Sequence, residues 1–330
     1  MSANAAAAQL GEVLDRGGPR LRALLEATER RLGEVAEGYG TVLAANVSQT
    51  LEAGGKRLRP ILVFVMAGEA GGDALVDAAA SVELLHMATL VHDDVLDRAE
   101  LRRGRATVFA SGGRGAATAT GDLLFSRAFA VLAATGNADA VRALSEASSA
   151  LARGELLQRE DAWSGAVSVE RYLERCRLKT ARLFEAACRL GAILGDPGPG
   201  AADSLARFGE GIGLAFQLFD DVLDVAGPPE VTGKPRGTDL LDGTVTLPLI
   251  VARERDPELA ALDLRGAARD GETAAALCDR IAATGALDET RDRALDHVRR
   301  AKGALDGVDL SAAQRELLEV IADGVADRRA

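Results

Sequence analysis

The chain has 330 residues, which against about 150 residues per domain gives a prior of two domains. Its 39 basic and 50 acidic residues leave a formal charge of −11, which argues against nucleic acid as a general partner and makes any phosphate-seeking patch local. Hydrophobic residues at 48% supply a large core, and aromatics at 3% beside abundant Ala, Leu, Glu and Arg favour helix over sheet, excluding disordered, collagenous and β-sandwich architectures.

The opening MSANAAAAQLGEVLDRG has neither the basic region nor the apolar stretch of a signal peptide. Helical periodicity then runs almost throughout, with breaks expected where Gly and Pro cluster: Gly17-Gly18-Pro19, Ala53-Gly54-Gly55, Gly71-Gly72-Asp73, Ser111-Gly112-Gly113, Gly195 to Gly200 and Gly227-Pro228-Pro229. The longest strongly apolar run, Pro60 to Gly68, is too short to span a bilayer. Cys176, Cys188 and Cys278 are odd in number and lack ligand-like spacing, so neither a disulfide framework nor a zinc site is expected. Together these features predict a single all-α domain over residues 1–330, cytoplasmic and without a membrane span. The polar, Ala-rich stretch from about Arg255 to Ala330 is expected to pack around the outside.

Ser81 to Asp97, SVELLHMATLVHDDVLD, is an apolar helical run that ends in carboxylates. Asp93 and Asp97 are one helical turn apart, about 5–6 Å at Cβ. His86, seven residues before Asp93, shares their face. Gly211 to Asp224, GIGLAFQLFDDVLD, repeats the arrangement, with Gln217, Asp220, Asp221 and Asp224 at i, i+3, i+4 and i+7. A charge run on a helix is ordinarily a solvated face. Here the same DDVLD occurs twice, each time ending a run apolar enough to be buried, and buried charges demand compensation. Oxygen donors without cysteine suit a hard cation. Mg²⁺, which takes one or two carboxylates and completes its shell with water and phosphate oxygens, fits best. Two facing Asp stripes would clamp a diphosphate between metal ions.

Only four of the 39 basic residues are Lys, namely Lys56, Lys179, Lys234 and Lys302. The first three lie in distinctive contexts: GGKRLRP at 54–60, Leu178-Lys179-Thr180, and TGKPRGTD at 232–239. A lone surface Lys ordinarily snorkels, but an ammonium on a flexible stem also does what a planar guanidinium does not. Arg102 and Arg103 follow the first acidic cluster at once, placed for one of them to hold a phosphate bidentately. His86, ordinarily a satisfied core histidine, becomes a phosphate donor on the stripe below Asp93.

Taken in order, GGKRLRP at 54–60, LVHDDVLDRAELRRGRATV at 90–108, GDLLFSRAF at 121–129, Lys179-Thr180, FQLFDDVLD at 216–224 and GKPRGTD at 233–239 resemble the trans-isoprenyl diphosphate synthases, or polyprenyl synthetases, over roughly Gly54 to Ile250. The resemblance implies an isoprenoid synthase fold, with helices surrounding a central cavity and the two Asp motifs facing each other at its mouth, in a homodimer. It implies head-to-tail condensation of isopentenyl diphosphate with an allylic prenyl diphosphate to give a longer trans-polyprenyl diphosphate. On that likeness Asp93 and Asp97, helped by Asp94, and opposite them Asp220, with Asp221 and Asp224 behind it, hold three Mg²⁺ ions on the allylic diphosphate. Arg102, Lys179, Thr180, Gln217 and Lys234 touch the same diphosphate or stabilise charge formed beside it, while Lys56, Arg59, His86 and Arg103 form the isopentenyl diphosphate pocket. Arg57 matches the motif without a direct role.

Two positions depart from the pattern: Thr244 stands where Lys is common, and Phe109 where Asn is common. Two other readings share the helical fold. A non-catalytic subunit of a heteromeric synthase usually loses acidic motifs, which are intact here. A terpene cyclase has no use for the pocket of Lys56, Arg59, His86 and Arg103. Chain length in the family is set by residues four and five positions before the first Asp, here Thr89 and Ala88. Neither would stop a chain as Phe or Tyr does, so a product of twenty carbons or more is expected, with Phe64 or Leu85 as a lower floor.

Overall fold

A computed structural model describes residues 3–35, 37–52, 54–195, 198, 200–228 and 235–327, with side chains from residue 11 onward. Helix α1 (Ala3–Glu34) runs through the break expected at Gly17-Gly18-Pro19, because Gly18 at φ 66° and ψ −167° bends the chain and Pro19 begins a second helical half. Helices α2 (Thr41–Glu52), α3 (Leu58–Met66) and α4 (Asp73–Leu96) follow. A short antiparallel ribbon of β1 (Leu101–Arg102) and β2 (Arg105–Ala106) leads into α5 (Val108–Ala134). There again the expected break is a kink, at Gly113 with φ 76°. Next come α6 (Ala138–Asp161), α7 (Val169–Cys176), a π-helical turn at Arg177–Ala181, α8 (Arg182–Gly195) and α9 (Ala201–Ala226). Side chains start three of these helices: Thr107, Asn137 and Ser168 accept from the backbone N–H of Ala110, Ala140 and Arg171 at 3.0, 3.0 and 3.2 Å.

Among the described residues the one helix long and apolar enough to cross a membrane is α4, not the run from Pro60 to Gly68, yet most of α4 is buried inside the protein. Its apolar residues are spread around the whole circumference, as a helix enclosed by others requires, and Ser81, Glu83 and His86 interrupt the run in the sequence. Leu84, Leu85 and Ala88 are wholly shielded; each Leu contributes about 1.5–3 kcal/mol of burial. Helix α4 lies along α5 and α8 lies along α9. One contiguous apolar cluster takes residues from Val13 to Ala326.

The C-terminal helices pack on the outside, as the sequence suggests, and each buries a face of its own. The helix Ala286–Gly303 packs on α9 and buries Ala286, Leu287, Thr290, Ala294, Val298 and Ala301. Half of that stripe is Ala, small enough to let two helices approach closely, while charged residues dominate the rest of the helix. A Cβ on Gly211 of α9 would lie 2.9 Å from the Ala301 Cβ.

The π-helical turn inserts one residue beyond the α-helical repeat, closed by the Arg182 N–H donating to the Arg177 carbonyl. It is gripped from two sides by glycines. A Cβ on Gly154 of α6 would lie 2.5 Å from Lys179 N, and one on Gly213 of α9 would lie 2.6 Å from Ala181 Cα. Since backbone cannot swing aside as a side chain can, Gly213→Ala should cost about 1–3 kcal/mol of stability. Urea denaturation measures it; an unchanged midpoint would show that this approach is not needed.

Candidate active site

The C-terminal end of α4 delivers the first Asp motif. The Asp97 N–H donates to the Asp93 carbonyl at 2.8 Å, and Arg98 at φ 52° then turns the chain into the β-ribbon, which returns Arg102 to the helix. Arg102 donates to Asp94 Oδ1 from Nε at 2.8 Å and from a terminal nitrogen at 2.7 Å. Helix α6 adds two residues that no motif announced. Arg159 donates to Asp97 Oδ1 and to Glu155 Oε1, both at 2.8 Å. Lys179 on the π-helical turn binds Glu155 directly and lies 3.8 Å from Asp93 Oδ2. Burial pushes the Asp93 carboxyl up to about 6, against the opposing pull of Lys179. Burial works to lower the Lys179 ammonium, but Asp93 and Glu155 outweigh it and leave its pKa raised.

Thr180, the next residue on the turn, faces the second motif. Its hydroxyl donates to Gln217 Oε1 at 2.7 Å, and Gln217 Nε2 donates to Asp221 Oδ1 at 2.8 Å. The other Asp221 oxygen accepts from the buried Tyr172 hydroxyl at 2.5 Å. Burial raises the Asp221 carboxyl despite both bonds. Asp224 is also buried and accepts from the Asp239 N–H at 3.1 Å. The stripe read from the spacing is therefore split: Asp220 is half-buried, whereas Asp221 and Asp224 are buried and held by protein donors. Lys234 lies outside the described residues.

Behind the first motif is a cavity lined by Arg57, Glu83, His86, Asp94, Arg102 and Arg103 among others. Arg57 donates to Glu83 at 2.8 Å and to Glu29 of α1 at 3.2 Å. It is a brace between carboxylates, which suits its lack of an assigned role. Arg59 stacks 4.4 Å from the Phe184 ring centroid, and its Nε is buried without a hydrogen-bond partner among the described residues. Burial pulls the Arg59 guanidinium down to about 10, Glu83 opposing and Arg103 assisting. Burial, and then the charges of Arg59, Arg103, Arg102 and Arg57, drive His86 well below its ordinary pKa, so its imidazole is neutral. Lys56 stands half-buried just before α3. Ala88 is enclosed in the core, whereas Thr89 is half-buried with its hydroxyl on the His86 carbonyl at 2.7 Å.

These groups fit an anion and hard cations. Several guanidiniums, one with an unmatched N–H, surround a neutral imidazole, which is the donor set of a phosphate site. The half-buried Asp93 carboxylate lacks enough positive charge nearby to keep its ordinary pKa. Among the described residues, no three His, Cys, Asp or Glu side chains converge on one point, so a cation would draw much of its shell from water and phosphate oxygens, as Mg²⁺ does.

The motifs located most of this, but not Glu83, Glu155, Arg159 or Tyr172. Glu155 and Arg159 had only an i, i+4 pairing to betray them, and Tyr172 only its rarity, as one of two tyrosines. The motif GDLLFSRAF also finds its reason here. A Cβ on Gly121 would lie 2.3 Å from His92 Nε2, and Asp122 lies 3.2 Å from that nitrogen.

The fold is all-helical, and the groups gathered at one end of α4 suit an anion and a hard cation. The polyprenyl synthetase family profile matches residues 41–280. Heptaprenyl diphosphate synthase component 2 of Geobacillus stearothermophilus is 38% identical over 296 residues, covering 88% of this chain and 91% of that protein. Geranylgeranyl diphosphate synthase of Methanosarcina mazei is 38% identical over 287 residues, covering 84% and 87%. The crystal structure of polyprenyl synthase from Caulobacter crescentus, complexed with calcium and isoprenyl diphosphate, superposes with a TM-score of 0.89 at 35% identity, covering 96% of this chain and 98% of that one. The chain belongs to the polyprenyl synthetase family; it is a prenyltransferase with the all-α fold of that family.

The raised pKa of Asp93 gives a stability signature. Ionising a carboxyl whose folded-state pKa lies near 6 costs folding free energy; the cost is absent below the ordinary 3.8, grows as pH rises and is complete above about 6. Asp93→Asn should therefore stabilise the ligand-free protein at pH 8 by about 1–3 kcal/mol, with the gain shrinking as pH falls to 5. A gain that does not change between those two pH values in urea titrations would refute this origin.

Proposed function

We propose that the chain is a Mg²⁺-dependent polyprenyl diphosphate synthase that condenses isopentenyl diphosphate head-to-tail with an allylic prenyl diphosphate, working as a homodimer. The observation that carries this reading is the adjacency of two unlike sites: the half-buried carboxylate of Asp93 beside Lys179, and the cavity of guanidiniums around neutral His86. Both are reached from α4, so two diphosphates would lie along one helix.

Three Mg²⁺ ions, bound by Asp93, Asp97 and Asp220 with Asp94, Asp221 and Asp224 in support, would supply the positive charge that stabilises a departing diphosphate. Arg102, Lys179, Thr180, Gln217 and Lys234 bind the allylic diphosphate and add to that stabilisation as the allylic carbon–oxygen bond ionises. Lys56, Arg59, His86 and Arg103 hold isopentenyl diphosphate by its own diphosphate, so that its double bond attacks the allylic carbon before water does. A proton then leaves to the diphosphate product and the chain is longer by five carbons. No protein nucleophile takes part.

Product length is assigned to Thr89 and Ala88, whose small side chains would not stop a chain as Phe or Tyr does; twenty carbons or more is the reading they support, extending to long chains. The resemblance to a protein named component 2 favours a second arrangement, in which this chain acts within a heteromer. Incubating the purified chain with Mg²⁺, labelled isopentenyl diphosphate and each allylic starter decides: elongation by the chain alone is expected, and no product from any starter would refute the reading. In the same assay Asp220→Ala should lose at least tenfold in turnover, about 1.4 kcal/mol. Thr89→Phe should shorten the main product. It is a cleaner test than Ala88→Phe, because Ala88 is enclosed and a ring there overpacks the core. A wild-type product of fifteen carbons, or an unchanged length in Thr89→Phe, would overturn the length assignment.

A further inference from the structure

Glu155 belongs to none of the motifs, yet it stands at the centre of the charges around the first Asp motif. Helix α6 brings it there because Gly154 lets the helix touch the backbone of Lys179. The charges alternate in the order Asp93, Lys179, Glu155, Arg159, Asp97. Glu155 contacts Lys179 directly and accepts from Arg159 at 2.8 Å; Arg159 reaches Asp97 at 2.8 Å, and Lys179 stays 3.8 Å from Asp93. The Glu155 side chain is the least exposed of the three carboxylates, at 17% against 22% for Asp93 and 35% for Asp97. Partial burial strengthens its hold on both cations.

Three carboxylates and two cations leave this row with one net negative charge, Asp94 being matched separately by Arg102. Without the Glu155 charge the row is neutral, and each cation has one carboxylate left to pair with. Arg159 already pairs with Asp97, so the change would fall on Lys179, which would close on Asp93, and a divalent cation would then have to displace it.

We propose that Glu155 is a positioning residue that parks Lys179 away from the first Asp motif, keeping Asp93 open to a divalent cation with its diphosphate. This rests on the reading that the first motif binds metal and diphosphate. A merely structural Glu155 would tie α6 to the π-helical turn and affect stability alone.

The test is calorimetric titration of Mg²⁺ with inorganic pyrophosphate into the full chain, for wild type, Glu155→Gln and Glu155→Asp, alongside melting temperatures and the Mg²⁺ dependence of turnover. Glu155→Gln should raise the half-saturating Mg²⁺ concentration at least about threefold, roughly 0.7 kcal/mol, in both binding and turnover. Glu155→Asp, which keeps the charge, should recover most of that loss. Wild type and Glu155→Gln titrating alike, whatever their melting temperatures, would overturn the parking role while leaving the metal site intact. So would Glu155→Asp being as weak as Glu155→Gln. Pyrophosphate binding that ignores Mg²⁺ in the wild type would overturn the metal reading and this proposal together.

Discussion

A charge taken out of water must be matched or it is costly, and the site is organised by charges whose match is incomplete. Asp93 is held among apolar helices with too little positive charge to keep its ordinary pKa, while a short way along the same helix Arg59, Arg102 and Arg103 crowd a neutral imidazole. Neither group would persist on a pliable frame, because the two would drift together and neutralise each other. They stay apart because α4 is enclosed from Leu75 to Leu85 and fixes where each residue points. Domain stability is only about 5–15 kcal/mol, so a few frustrated charges take a substantial part of it. The enclosed Leu and Ala of α4 offset that cost.

The same frame explains how one short segment serves two motifs. Lys179 turns toward Asp93 and Glu155, and its neighbour Thr180 turns toward Gln217 and Asp221. Consecutive residues on an ordinary helix already diverge, and the widened turn at Arg177–Ala181 sits where α6 and α9 both press close. Two small residues in the pressing helices permit this, so part of the active-site geometry is set by what Gly154 and Gly213 lack.

The sequence disclosed those parts of the site whose chemistry demands a residue type. Paired Asp, rare Lys and adjacent Arg are conspicuous because little else would put them at the ends of apolar runs. It did not disclose residues that act on those groups from another helix. Glu155 and Arg159 look like any surface pair until α6 is laid against Lys179, and Glu83 looks like a stray charge in an apolar run until Arg57 reaches it. In the fold, the helices were legible from periodicity, but Gly18 and Gly113 show that a glycine can bend a helix without ending it. The helix Ala286–Gly303, charged at half of its positions yet buried at six, shows that an average over a segment hides a packing face.

The π-helical turn also has a consequence for how this chain can change over generations. Deleting one residue from Arg177–Ala181 would restore a regular helix, and because the widened turn already absorbs the extra residue, Leu183, Phe184 and Ala187 beyond it would keep their enclosed faces. The change would fall on the turn itself, where Lys179 and Thr180 are handed to different partners. The interior therefore does not hold the extra residue in place. Its retention is answerable to the two side chains it presents, and descendants of this sequence that no longer needed that presentation could lose the residue with their core intact.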